Sequence, residues 1–182
     1  MFDAAPQYNN PHKKTGRQKR RNNFNETDEI ISKKIKEALN VGLNVIFCVG
    51  EKEGEDKKQT LTAQIEGGLS KILPARQSLG AGGNLKSYIL NLIIAYEPVW
   101  AIGTGKNCSV EETLASISLI RDIISGLFDA DTASSMKILY GGSVSPEDSA
   151  LYLKEEKIGG LLVGGASLNA EDFIKIAKSI KD

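Results

Sequence analysis

The sequence contains little cysteine and histidine and has no excess of either charge. Its 182 residues include two cysteines, one histidine, and 23 basic groups against 23 acidic groups. So few cysteines argue against a disulfide framework and favour a reducing compartment, so we predict a cytoplasmic protein. The charge balance argues against attraction of the whole domain to nucleic acid or to an anionic membrane. No apolar run approaches the roughly 20 residues that a membrane-spanning helix needs.

Residues 1–21 differ in composition from the rest of the chain. They are rich in Asn, Pro, Lys and Arg, and their basic residues are opposed only by Asp3. This composition predicts a poorly ordered arm in front of a domain at 22–182. A basic arm can contact nucleic acid or act as a targeting segment, but a solvated extension without function is the interpretation that we favour.

Apolar runs alternate with amphipathic segments from about residue 25 onward. The pattern predicts strands at 43–49, 89–96, 136–140 and 161–163, with helices between them and one further helix before the first strand. Such alternation predicts an α/β fold with about four parallel strands. The length is short for a closed eight-stranded barrel of about 250 residues, and the pattern alone does not separate part of a barrel from an open sheet.

Capping residues mark where the helices should begin. The candidate N-caps are Asn25 or Thr27, Ser109 with Glu112, Ser145 before Pro146, and Asn169. For the last helix we predict an inner stripe of Phe173, Ile174, Ala177 and Ile180. The glycine-rich segment 77–83 predicts a flexible surface loop of unusual length.

A candidate catalytic carboxylate, Glu97, lies in the sequence AYEPVWAIGTGK at 95–106. It follows an apolar run directly, and parallel α/β folds place their reacting groups at the carboxyl ends of strands. A carboxylate there can remove a proton from carbon next to a carbonyl, whereas the alternative is a strand-end glutamate in an ion pair. The glycines that follow favour a hinged apolar lid, made of Pro98, Val99, Trp100, Ala101, Ile102, Gly103, Thr104 and Gly105.

Two glycine pairs predict an anion site. Gly141 and Gly142 stand with Ser143 after the third strand, and Gly164 with Gly165 stands after the fourth. Backbone amides of glycine can approach an anion closely, and helix amino ends add positive potential. Gly103 would add a further amide on closure of the lid. The alternative is that these glycines only form tight turns.

The chain resembles the triosephosphate isomerase family in AYEPVWAIGTGK, in YGGSVSPEDS at 140–149, in GGLLVGGASL at 159–168 and in FCVGE at 47–51. The resemblance runs from about Arg20 to the last helix, with an interruption near 74–88. It implies a partial (β/α) barrel and an intramolecular aldose–ketose isomerase of glycolysis and gluconeogenesis, which interconverts dihydroxyacetone phosphate and D-glyceraldehyde 3-phosphate without cofactor or metal. It further implies that Glu97 is the base and that Gly103, Ser143, Gly164 and Gly165 bind the substrate phosphate.

The resemblance also assigns supporting roles near the site. It implies that Glu51 is structural support, that Cys48 is a packed thiol, and that Tyr140 hydrogen-bonds the closed lid.

The same resemblance shows what this chain lacks. The family completes its site with a lysine on the first strand and a histidine on the fourth, and its dimer contacts come largely from a loop after the third strand; none has a matching position here. The only histidine, His12, lies in the arm. We therefore expect that the chain is inactive alone and does not form the family's homodimer. The alternative is a non-catalytic half-barrel that binds phosphate or depends on a partner. The pattern fits a natural start of the chain, a truncated product, and an error in reading the coding region.

Overall fold

The computed structural model describes residues 26–72 and 91–180. These ranges contain α1 (Asp28–Asn40), β1 (Val45–Val49), α2 (Lys57–Leu69), β2 (Leu92–Tyr96), α3 (Val110–Leu127), α4 (Ala130–Ser135), β3 (Lys137–Tyr140), α5 (Pro146–Leu153) and α6 (Ala170–Lys178), with 3₁₀ turns at Val99–Ala101 and Gly165–Leu168. The predicted arm and the predicted loop at 77–83 lie outside the described residues. Within those ranges, no helix is both long enough and apolar enough to cross a membrane.

The three strands form one parallel sheet in the order β1-β2-β3. Its last register pairs align Val49 with Tyr96 and Tyr96 with Tyr140, so the three strands end side by side. The predicted α/β fold of parallel strands alternating with helices is confirmed. The predicted strand at 161–163 is reduced to a single parallel bridge between Tyr140 and Leu161, and β3, the strand with which it pairs, ends at Tyr140.

The predicted caps close the helix starts, because each side-chain oxygen accepts a hydrogen bond from a backbone amide of the first turn. The observed pairs are Thr27 with Ile30, Ser109 with Glu112, Ser145 with Asp148, and Asn169 with Glu171 and Asp172. Sequence reasoning missed the short helix α4, which Asp129 caps by accepting from the Thr132 amide at 2.7 Å. These caps set the residue at which each helix begins.

The core lies between the sheet and helices α2 and α3. Its fully buried members include Leu61 and Ile65 of α2, Ile94 of β2, and Ile117 and Ile120 of α3. A glycine brings α2 close to the sheet: a Cβ atom at Gly68 would lie 2.5 Å from the ring of Phe47. The helix that follows β1 is thereby held tightly over the strand that precedes the candidate site.

The predicted inner stripe of α6 is wrong. Ile176 is the buried residue of this helix, whereas Phe173, Ile174, Ala177 and Ile180 are exposed. The physical reason is that α6 packs mainly on α5 and on the turn Gly165–Leu168, and this packing leaves the four side chains exposed.

We predict that Ile65→Ala lowers the free energy of unfolding by about 2–5 kcal/mol, because Ile65 is fully buried and its removal leaves a cavity. The matched variant Ile174→Ala should cost less than about 1 kcal/mol, since that side chain is 51% exposed. Urea denaturation measures both. Equal losses for the two variants would contradict the exposure of this side of α6.

Candidate active site

A cleft of about 440 Å³ opens at the carboxyl ends of β2 and β3. Its walls come from the loop after β2 and from the two glycine-rich segments after β3 and after Leu161. All five residues predicted from sequence to act on substrate line it: Glu97, Gly103, Ser143, Gly164 and Gly165. In the part of the chain that the structure describes, no group of three or more His, Cys, Asp and Glu side chains is placed to hold a metal ion.

Glu97 follows β2 directly, and its side chain is buried against the exit of β3. The residue is 4% exposed. A Cβ atom at Gly141 would lie 2.7 Å from Cγ of Glu97 and 3.1 Å from its Oε1. Gly141 therefore provides the space that the carboxylate occupies, a role that the sequence did not suggest, because it pointed only to the backbone amide of this glycine.

A second glycine fixes the backbone of Glu97 from the other side. The Glu97 amide donates to the Val49 carbonyl at 2.7 Å, and a Cβ atom at Gly50 would lie only 2.0 Å from the Glu97 carbonyl oxygen. Gln64 of α2 holds Gly50 in place, since its side-chain amide bonds both the amide (2.9 Å) and the carbonyl (3.0 Å) of that residue. Neither contact was predicted.

A buried carboxylate, that of Glu51, connects β2 to the start of the lid. Its Oε1 accepts from the Tyr96 hydroxyl at 3.0 Å and from the Trp100 indole at 3.2 Å, and its carbonyl accepts from the Val99 amide at 2.8 Å. Lys57 lies 3.9 Å from the Glu51 carboxylate and 2.9 Å from that of Glu112. Sequence analysis implied a supporting role for Glu51 but missed Lys57, whose neighbours are brought together only by the packing of α2 against α3.

Ser143 ties the middle of the lid to the exit of β3. Its hydroxyl donates to the Ala101 carbonyl at 2.7 Å and accepts from the Gly105 amide at 3.3 Å, while its own amide donates to Ala101 at 3.2 Å. Gly103 and Gly105 have φ of 66° and 76°, in the left-handed region that favours glycine. Of the predicted lid, Ile102, Gly103 and Gly105 line the cleft, whereas Trp100 is bonded to Glu51.

Tyrosines hold the segment just beyond the lid. The Cys108 amide donates to the Tyr140 hydroxyl at 2.9 Å, and the Tyr152 hydroxyl donates to the Cys108 carbonyl. The rings of Tyr140 and Tyr152 stack with centroids 4.5 Å apart. Gly142 leaves space for this arrangement, since a Cβ atom there would lie 2.1 Å from the Tyr140 hydroxyl. The contact implied between Tyr140 and the lid is thus made at Cys108, after its last residue.

Burial shifts the ionisable groups behind the cleft. It raises the pKa of the Tyr96 and Tyr140 hydroxyls well above their ordinary range, and it raises the pKa of the Cys108 thiol from 9 to about 11. In each case the cause is loss of water around the charged form. These groups are therefore neutral hydrogen-bonding or packing groups at neutral pH.

Comparison with known proteins points to one family. A family model described as triosephosphate isomerase matches residues 15–180. A triosephosphate isomerase of Dictyoglomus thermophilum is 43% identical over 164 residues, and one of Chloroherpeton thalassium is 43% identical over 168 residues. Each match covers 90% of this chain but only 63% and 62% of the relative. The chain therefore spans less than two thirds of the length of these curated relatives.

We predict that Glu51→Ala shifts the emission of Trp100, the only tryptophan of the chain, to longer wavelength, because the indole loses the bond that holds it at Glu51 and becomes more exposed to water. The variant should also unfold about 1–3 kcal/mol more easily, since the buried Tyr96 hydroxyl loses its partner. Fluorescence and urea denaturation measure the two effects. Glu53→Ala, at an exposed neighbour, is the control. A folded Glu51→Ala protein with unchanged emission would contradict the tether.

We also predict that stability falls as the pH rises from about 9 to 11. A thiol whose pKa is raised by folding favours the folded state fully below pH 9, and this contribution is lost as the pH approaches the folded value of about 11. Cys108→Ala should reduce the loss over this interval by about 2 kcal/mol, whatever its effect at pH 7. Denaturation curves at each pH check this. If the free energy of unfolding of the variant falls with pH as steeply as that of the unsubstituted chain, the prediction is refuted.

Proposed function

Because this chain belongs to the triosephosphate isomerase family, we propose that it carries the base and the phosphate site for interconversion of dihydroxyacetone phosphate and D-glyceraldehyde 3-phosphate. One observation carries the proposal: Glu97, the loop after it and two glycine-rich exits line a single cleft. The proposed reaction belongs to cytoplasmic glycolysis and gluconeogenesis and uses no cofactor.

Glu97 is the proposed base. Its carboxylate would take a proton from the carbon beside the substrate carbonyl and return it to the neighbouring carbon, the mechanism known for this family. Its burial against Gly141, in a cleft that Ile102 and Gly103 also line, supports this role. Closure of the loop at 98–105 would exclude water from the reacting atoms during the transfer.

The substrate phosphate is proposed to bind opposite this base, at Gly103, Ser143, Gly164 and Gly165. Gly165 begins a 3₁₀ turn, and the first amides of a helical turn have no acceptor within it. A Cβ atom at Gly164 or Gly165 would meet no atom within 4 Å, so their backbone is open to an anion. Ser143 stands three residues before the first residue of α5, near its positive end.

The 182-residue chain by itself is proposed to have little or no turnover. We infer this from the family resemblance, which implies an electrophilic histidine and a charge-stabilising lysine that this sequence does not match. Loss of one such stabilising donor costs roughly 3 kcal/mol in comparable sites. The alternative function is a non-catalytic half-barrel that binds phosphate or depends on a partner. The exposed apolar side chains Phe173 and Ile174 of α6, with Ile180 just after it, favour a partner.

We predict that the purified chain converts D-glyceraldehyde 3-phosphate at least about 100-fold more slowly than the Dictyoglomus thermophilum relative assayed beside it, since the donors described above are lacking. A coupled assay measures the rate. Turnover equal to that of the relative and abolished by Glu97→Gln would disprove the inactivity of the chain while supporting the proposed base.

We predict that Gly165→Leu weakens binding of inorganic phosphate at least about tenfold, because its side chain would extend from an open position that lines the cleft. The matched control is Gly126→Leu, since that glycine is also open and exposed but lies on α3, away from the cleft. Titration calorimetry measures both affinities. Equal binding by the two variants would contradict the proposed phosphate site.

A further inference from the structure

The cleft that is proposed to bind a phosphate contains a second carboxylate, Asp148. Glu97 and Asp148 are the charged side chains among its described lining residues, and no described lysine, arginine or histidine lines it. The proposed attraction for an anion therefore comes from backbone amides and from the start of α5. An acidic side chain on the same wall opposes that attraction.

Local hydrogen bonds hold the Asp148 carboxylate at this wall. Asp148 is the third residue of α5, and its amide donates to the Ser145 hydroxyl oxygen at 3.3 Å. The Ser145 hydroxyl in turn donates to Oδ2 of Asp148 at 3.0 Å. Both residues line the cleft and are partly buried. The Ser145 proton is thereby directed to the carboxylate, and the negative charge of Asp148 is held at the wall of the cleft.

We propose that Asp148 determines the specificity of this cleft for ligand charge, by weakening the binding of dianionic phosphate. The inference rests on the proposed phosphate site. Like charges that face each other in a partly buried cleft repel more strongly than they do in bulk water. The amides and helix end bind the anion, while Asp148 limits its affinity and favours its release.

The same residue stabilises the fold, which accounts for an acid in this place. A negative charge in the first turn of a helix interacts favourably with the helix dipole, and the reciprocal bonds with Ser145 close the start of α5. Asp148 thus serves the helix and opposes the anion. Asp148→Asn keeps the hydrogen bond, because its amide oxygen still accepts from Ser145, while it removes the charge that repels the anion.

The test is titration of the full chain with inorganic phosphate at pH 8, where phosphate is mainly dianionic. Asp148→Asn should bind phosphate at least about threefold tighter than the unsubstituted chain. Glu147→Gln is the matched control, since it removes one negative charge from the same helical turn but lies outside the cleft lining. Its affinity should stay within about twofold. Raising the salt concentration should shrink the gain from Asp148→Asn, because salt screens the repulsion.

The outcomes separate this inference from the proposed function. Phosphate binding that is equal in the unsubstituted chain and Asp148→Asn, or an equal gain in Glu147→Gln, overturns the role of Asp148 and leaves the phosphate site standing. An absence of binding in all three proteins overturns both. Circular dichroism verifies the folding of each variant. If Asp148→Asn does not fold, Asp148→Ser replaces it, because it also removes the charge. The same threefold gain in affinity is expected of Asp148→Ser.

Discussion

The structure depends on two glycines. They allow the ends of three parallel strands to approach one another closely around Glu97. Gly50 at the end of β1 admits the Glu97 carbonyl, and Gly141 at the end of β3 admits its side chain. At both positions a methyl group would lie under 3 Å from Glu97, a distance that packed atoms do not tolerate. The carboxylate is thus positioned by the absence of side chains on both neighbouring strands, and Gln64 fixes one of those neighbours.

The loop after Glu97 is fastened by hydrogen bonds at three points, one at the exit of β1 and two at the exit of β3. Its start is bonded to Glu51 after β1, its middle to Ser143 after β3, and the segment beyond it to Tyr140 at the end of β3. Any movement of this loop therefore exchanges specific hydrogen bonds, and the energies of those bonds set the balance between its positions. Since Ser143 both holds the loop and lines the cleft, binding of an anion and placement of the loop are coupled in the proposed function.

Local sequence rules predicted the features that depend on neighbours in the chain. The caps at Thr27, Ser109, Ser145 and Asn169 are of this kind, and so are the strands that end at Val49, Tyr96 and Tyr140. The family resemblance predicted that Glu97 and the glycine-rich segments after β3 and after Leu161 belong to one site. What escaped prediction requires distant partners: the space at Gly141, the ion pairs of Lys57, and the exposed side of α6, whose periodicity alone suggested burial. Periodicity identifies an apolar face but does not identify what covers it.

In the proposed function, the glycine-rich segments after β3 and after Leu161 and the lid form one anion site beside Glu97. Titration of isotopically labelled chain with inorganic phosphate, followed by backbone amide chemical shifts, tests it most directly. We expect the amides of Gly103, Ser143, Gly164 and Gly165 to shift together along a single binding curve. Shifts confined to other parts of the chain, with these four amides unchanged at saturating phosphate, would contradict it.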